Sequence, residues 1–507
     1  MTSESAVLHN AGAIAIAAVA IGLVAQWLFV DARLGINAPI ALAALLGAAW
    51  LVRPASRPRP RAREAWLPAA ALLFAAFAAV RGDVNLVDLD LLAALGLGGA
   101  ALAGFAGLTV VDQAVGRLAA LGARLAVFAT LAAGRVLASI RAAMPHGSAR
   151  SSVKRAAPVL RGLLIALPLV ILFVALFAAA DAVFARVARD LFDWNVDLGN
   201  VPTRLAFALV VAWLSAGLFA FVAIGKDGEA GEPSPAEAGP GRLRLGSAEA
   251  TTALVVLDLL FAGFVALQGA YLFGGQDTLA ASGLTYAEYA RRGFFELLLA
   301  AFAVGGLVLA AEATVARRTR AYLSSAIGLV ILTAVVLGSA LLRLRLYQEA
   351  YGWTELRFYV LAAIVWLAIG CVLAVLSLAA NRTRWLLHAM LGVSIVFGLA
   401  FNLIGPVRLV AEQNVARAVH PELVAPGGEN GLDLFYLASL GDDALPVLAE
   451  NICTLPGPFG ARAYDVAKGW IERLAGDESG KAWQAWNLSR ERARGIRVYE
   501  ICDLAAR

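Results

Sequence analysis

One carboxylate in this sequence stands where a carboxylate is expensive. Asp258 falls inside an apolar run at residues 250–273, and a helix rising 1.5 Å per residue would carry it about 12 Å from the start of that run. In hydrocarbon an acid there costs a few kcal/mol, so it needs a partner or a water-filled cavity. It is either a proton or cation site or a hydrogen-bonded acid joining two helices, and the residue type alone leaves both open. A second concentration of chemistry comes from two interrupted stretches. Tyr286, Glu288, Tyr289, Arg291, Arg292 and Glu296 enter one apolar run, and Arg343, Arg345, Tyr347, Glu349, Tyr351, Glu355 and Arg357 leave the next. Glu288–Arg292–Glu296 and Arg345–Glu349 have the i,i+4 spacing of helical ion pairs. Arginine forks suit a phosphate or carboxylate, so the cluster fits a vestibule for an anionic headgroup or solute. It equally fits an interfacial girdle, with aromatic rings at headgroup depth and arginines reaching outward.

Other chemistry is poorly represented. The three cysteines, Cys371, Cys453 and Cys502, form no CxxC pair, and the four histidines, His9, His146, His388 and His420, stand apart. No metal site, catalytic residue or cofactor is expected from them. The glycines Gly96, Gly98, Gly99, Gly104 and Gly107 belong to no phosphate-binding loop, and small residues at such spacing suit close helix packing in a membrane. Paired acids such as Asp88/Asp90 and Asp442/Asp443 stand at helix starts, where they answer the helix dipole. Gln268 and Asn402, near the ends of apolar runs, read as interhelical hydrogen-bond partners.

The elements that must position these groups are set by hydropathy. Of 507 residues 61% are hydrophobic and 16% charged, with mean hydropathy +0.75. A soluble chain has roughly 45–50% apolar and about 25% charged residues. The lipid bilayer is therefore the expected solvent and an all-α polytopic membrane protein the expected fold. The arginine-rich, alanine-rich composition suggests a bacterial source. Net charge is +5, but the arginines lie in short loops between apolar runs, where they set orientation; no nucleic-acid partner is expected.

Spans of about 20 residues are expected at residues 11–30, 38–52, 66–80, 88–111, 159–180, 204–224, 250–273, 293–313, 323–342, 357–379 and 385–403, about eleven in all. Arg53, Arg57, Arg59, Arg61 and Arg63 mark a cytoplasmic loop, as do Arg317, Arg318 and Arg320, and Arg382 and Arg384. The amino terminus is then cytoplasmic and the carboxyl-terminal region extracytoplasmic. Arg117, Arg124 and Arg135 share one stripe at about 100° per residue, which favours a helix lying on the cytoplasmic interface over one that spans. The expected regions are spans in 1–112, an interfacial amphipathic segment in 113–157, spans in 158–224, a flexible linker in 225–249, a membrane core in 250–404 and a soluble helical module in 405–507. In that module helices are expected at 433–451, 461–474 and 481–494, broken at 454–460 by Pro456, Gly457, Pro458 and Gly460. Cys453 and Cys502 lie on the expected oxidising side and form a candidate disulfide.

Four passages carry a family resemblance: Leu259-Leu260-Phe261 with Gln268 and Tyr271 to Gly275; the run Leu284 to Leu297; Tyr347-Gln348-Glu349-Ala350-Tyr351-Gly352-Trp353-Thr354-Glu355-Leu356-Arg357; and Asn414 and Arg417 with Leu432-Asp433, Tyr436-Leu437, Asp443-Ala444 and Pro446. Through them residues 255–446 resemble a bacterial membrane family, domain of unknown function 4173. The resemblance implies a multi-pass protein of the bacterial cytoplasmic membrane and carries no activity with it. Three functions fit the residues: a non-enzymatic envelope sensor, scaffold or accessory protein whose helical module meets a membrane or envelope protein; a transporter of a small solute or lipid using the Arg/Tyr vestibule and Asp258; and an enzyme acting on a lipid-linked substrate through Glu288, Glu296 or Glu355. The absence of a catalytic motif favours the first. No internal repeat or matched pair of broken helices supports the second.

Overall fold

The computed structural model describes residues 3–55, 59–111, 113, 115–143, 201–225, 246–273, 294–424, 428 and 431–497. The chain is an all-α polytopic membrane protein. Among the described residues nine helical segments are long and apolar enough to cross a bilayer. Their outward faces carry Leu23, Trp27, Leu92, Leu95, Leu259, Leu260, Leu299, Val372 and Leu376, all exposed, a surface stable against lipid and untenable in water. The chain divides into two compact units: residues 1–80, 90–232 and 478–487, and residues 81–89, 233–477 and 488–507.

The first unit contains α1 (Ser3–Phe29), α2 (Asn37–Val52), α3 (Leu67–Phe77), most of α4 (Val84–Phe105), α5 (Val115–Val127), α6 (Ala133–Ala143) and α7 (Val201–Ile224). The expected spans at 38–52 and 66–80 form helices of 16 and 11 residues, shorter than a perpendicular crossing needs. A π-helical turn, Phe128–Ala132, joins α5 to α6. The stretch Arg117–Ile140 is long and apolar enough to cross and packs against α1 and α7. The Arg124 guanidinium lies over the rings of Phe128 and Phe221, while Arg117 and Arg135 are exposed.

Close helix approach in this unit depends on glycines other than the run in α4. A Cβ on Gly22 would fall 2.3 Å from the Ala208 carbonyl oxygen, and one on Gly217 would fall 2.1 Å from that of Phe128. At Gly96 nothing stands within 4 Å. The α1–α2 turn is fixed by Asn37, whose side-chain oxygen accepts from Gly35 N–H at 2.8 Å while Nδ2 donates to the Leu28 and Arg33 carbonyls. Residues 478–487 return to this turn. Arg33 N–H donates to Ser479 O, Ile36 N–H to Trp486 O, and Asn487 Nδ2 to Ala78 O.

The second unit holds α8 (Ser247–Phe273), α9 (Phe294–Thr314), α10 (Arg320–Tyr351), α11 (Glu355–Ala379) and α12 (Thr383–Ile404), followed at once by α13 (Pro406–Val419). Leu254, Val308, Leu329 and Leu378 form one core among the long helices, and Leu337, Leu344 and Ile364 another. Short helices follow: α14 (Leu434–Ser439), α15 (Leu445–Asn451), α16 (Pro458–Gly476), α17 (Glu478–Lys481, within the first unit) and α18 (Leu488–Arg494). The helix expected over 433–451 is broken into α14 and α15 at Gly441, which adopts φ +94°. Pro458 starts α16 rather than blocking it, because the first helical position needs no N–H. The helix expected over 481–494 shortens to α18, after a 3₁₀ turn at Trp483–Ala485. Leu437, Leu445, Leu448, Ala467 and Trp470 make the core of this module, and Phe358 of α11 is part of it. The module and the membrane helices therefore share apolar packing.

Gly217→Ala is expected to lower the melting temperature in detergent, at a cost of about 1–3 kcal/mol for overpacking. Gly12→Ala, where nothing stands within 4 Å, is the control and is expected to leave it unchanged.

Candidate functional site

A helix ends with carbonyl groups that have no partner in the helix. In α10 three of those carbonyls are met by one side chain from the module, and the first of the three, Gln348 O, also accepts from Gly352 N–H at 2.9 Å. Arg417 of α13 donates from Nη1 to Gln348 O at 3.3 Å and also to Glu349 O, and from Nη2 to Ala350 O at 3.2 Å. Its guanidinium is the preferred charge at the negative end of a helix dipole. Burial, with the like charge of Arg357 behind it, lowers the pKa of Arg417 from the usual arginine value.

One turn earlier on α13, Asn414 clasps the backbone of Trp353. Its Oδ1 accepts from Trp353 N–H and its Nδ2 donates to Trp353 O, both at 2.8 Å. Between the two clasped segments stands Gly352 at φ +79°, ψ −173°, a region that only glycine occupies readily. A Cβ there would lie 2.7 Å from Asn414 Oδ1. Thr354 then caps α11 by accepting from Arg357 N–H at 3.3 Å. The Arg357 guanidinium turns back, donating to the Tyr351 and Gly352 carbonyls and lying 4.1 Å from the centroid of the Tyr347 ring.

Beside this clasp two carboxyl groups meet. Asp83 precedes α4 and caps it, Oδ1 accepting from Leu86 N–H at 3.0 Å. The residue is 2% exposed, and its Oδ2 receives no hydrogen bond. The Glu355 carboxyl, in the first turn of α11, lies within hydrogen-bonding reach of Asp83 and accepts from Asn85 Nδ2 at 2.7 Å. Tyr436 accepts Glu355 N–H on its phenolic oxygen at 2.8 Å, and burial raises the pKa of that phenol. Asp443 accepts from Gly82 N–H at 2.8 Å. Burial, reinforced by Glu355 and Asp443 and opposed by the Leu86 N–H, raises the Asp83 pKa from 3.8 to about 7.

The structure thus brings Glu355 and Arg357 of the expected Arg/Tyr cluster together with Asn414, Arg417, Tyr436 and Asp443. Arg345 and Glu349 are exposed, and among the described residues no ion pair joins them; Glu296 is exposed in the first turn of α9. Arg343 is half-buried. Tyr286, Glu288, Tyr289, Arg291 and Arg292 lie outside the described residues. Asp258 accepts a hydrogen bond from Ser325 Oγ across the α8–α10 contact, and its Oδ1 has no donor. Gln268 is buried. The Asn402 side chain donates to Gly398 O within its own helix at 3.0 Å. Cys453 is exposed, and Cys502 is outside the described residues. No group of three or more His, Cys, Asp or Glu suited to a metal ion occurs among the described residues. Asp83 escaped the sequence reading. Its signal was local, an Asp three residues before Leu86 at the head of an apolar run, but its partner Glu355 is 272 positions away in the numbering.

A family model described as Domain of unknown function (DUF4153) matches residues 68–451. The family number differs from the 4173 of the sequence resemblance, and the match begins at residue 68 rather than near 255, so it takes in the amino-terminal helices and Asp83. No curated protein and no solved structure matches the chain.

Arg417→Ala is expected to lower stability by about 2 kcal/mol, since it strips a charged donor from one buried and two partly buried hydrogen bonds. Arg417→Lys keeps the charge without the fork and should recover part of the loss. Gly352→Ala should cost about 1–3 kcal/mol through backbone strain alone. Thermal unfolding followed by tryptophan fluorescence checks all three.

Proposed function

The chain belongs to the DUF4153 family, and from that premise we propose that it is a non-enzymatic protein of the bacterial cytoplasmic membrane, a scaffold, sensor or accessory subunit. Its amino terminus is cytoplasmic, and its helical module is an extracytoplasmic platform for a membrane or envelope protein partner. The observation that carries this reading is the use made of Asn414 and Arg417. Asn414 and Arg417 both bond backbone groups of the α10–α11 connection, which ties the module to the adjoining ends of α10 and α11. The side assignment is supported by the turns that the carboxyl-terminal region touches. Within the first unit, residues 478–487 bond to the turns at 33–36 and 78. Within the second, α13 bonds to the turn at 352–355. Charge in the intervening loops assigns all of these to the outer face.

A transport reading draws on Asp258, whose Oδ1 lacks a donor. The Ser325 hydrogen bond favours a helix-joining role for this acid, because a hydroxyl across a helix contact is the partner a membrane acid is expected to recruit.

The discriminating experiment compares two variants in cells lacking the native gene. Arg417→Ala, accumulating in the membrane, is expected to reproduce the defect of the deletion, while Asp258→Asn is expected to restore growth like the wild type. The reverse pattern would sink the scaffold reading in favour of transport.

A further inference from the structure

The acids beside the clasp are not needed to explain how the module is held. Asp83 and Glu355 come from segments far apart in sequence, and each stands at the amino-terminal end of a long helix, α4 or α11. Two like charges brought together out of water repel, and such pairs settle by sharing one proton. The geometry has a place for that proton. Asp83 Oδ1 is occupied by Leu86 N–H and one Glu355 oxygen by Asn85 Nδ2. Asp83 Oδ2 is enclosed and lacks a donor, and the Glu355 carboxyl, held by Asn85 two residues along the chain, acts on the Asp83 side chain. Neither carboxyl oxygen can donate to the other unless one of them carries a proton.

We propose that Asp83 and Glu355 form a single proton-binding site, in which one shared proton ties the first turn of α4 to the first turn of α11 and so latches the module's docking turn. The pair then carries one negative charge between two helix amino termini, each of which favours an anion. Loss of the proton leaves two carboxylates facing each other and loosens the latch.

The groups around the pair agree with a proton rather than an arginine as the balancing charge. Ahead of α4, Arg81 donates to the Asn402 carbonyl. On α11, Arg357 is turned to the Tyr351 and Gly352 carbonyls. From the module, Asp443 adds a further negative charge while accepting from Gly82 N–H, and Tyr436 presents a neutral phenol. Asp442 is engaged by Trp470 Nε1 at 3.3 Å and lies 3.8 Å from Arg490 Nε. Asp88, one turn into α4, is exposed. With its pKa raised to about 7, Asp83 holds its proton in the folded protein across a window where the unfolded chain, at 3.8, has released it. Folding therefore takes up a proton between about pH 4 and pH 7, and the latch stabilises less and less as pH rises through that window. The inference rests on the α4–α11 contact and stands apart from which side of the membrane the module occupies.

The test uses the full chain in lipid nanodiscs. Infrared difference spectra between pH 5.5 and pH 8.5 are expected to show one protonated carboxyl band lost on raising the pH, and the melting temperature is expected to fall by several degrees. Asp83→Asn, whose amide supplies a permanent donor to Glu355, should lack that band and show a flatter melting profile, close to the low-pH wild-type value. Glu355→Gln should also abolish the band, which keeps the test decisive if one variant folds poorly. A wild-type band that persists unchanged in both variants would overturn the proposal. So would recovery of the low-pH melting temperature at pH 8.5 on adding calcium or magnesium, since the site would then bind a metal cation.

Discussion

The carboxyl-terminal end of α10 sets the problem that the surrounding structure solves. This helix runs for 32 residues, and its last carbonyls emerge beside a short turn that leads directly into α11. Carbonyls left bare there would each forfeit the free energy of a buried polar group. A single guanidinium from α13 answers three of them, while the carboxamide of Asn414 answers both backbone groups of Trp353. Because these donors belong to the helix that follows α12 without a linker, satisfying the end of α10 also seats the helical module. The apolar cluster that Phe358 shares with Val407, Leu437 and Leu445 then supplies the bulk of the burial, and the polar clasp supplies the register.

This arrangement gives the family-like stretch from Tyr347 to Arg357 a structural meaning. Gly352 is there because the backbone takes a conformation closed to other residues. Thr354 is there as the α11 cap, and Arg357 as a second donor to the carbonyls of the turn. Glu355 differs from these. Its backbone N–H is bound by Tyr436 and its carboxyl faces Asp83, so its titratable group is the part of the stretch not consumed in holding the turn.

Most of the long helices were legible from hydropathy because a bilayer demands length and apolarity, which a single sequence displays directly. The shorter α2 and α3 read as spans for the same reason, since apolarity was present and only length was lacking. Helix breaks in the module were harder to read. Pro458 looks like a breaker until its position at the first turn is known, and the chain reversal at Gly441 requires a positive φ that composition does not announce. The candidate site was half legible. Asn414, Arg417, Tyr436 and Asp443 stood out as a pattern, but their roles depend on contacts with residues some 60 to 360 positions away. Nothing in the sequence singles out Asp83. Its distinction arises from burial and from the approach of Glu355, both products of tertiary packing. Asp258, conspicuous in the sequence, is joined to Ser325.

The clasp on the α10–α11 turn is what seats the module. Amide hydrogen exchange of the Trp353 N–H in wild-type and Asn414→Ala protein tests it most directly. Slow exchange is expected at Trp353 in the wild type, and much faster exchange in the variant that spreads into α13 while α8 and α9 stay protected. Equal exchange at Trp353 in the two proteins, or loss of protection throughout the membrane helices, would contradict it.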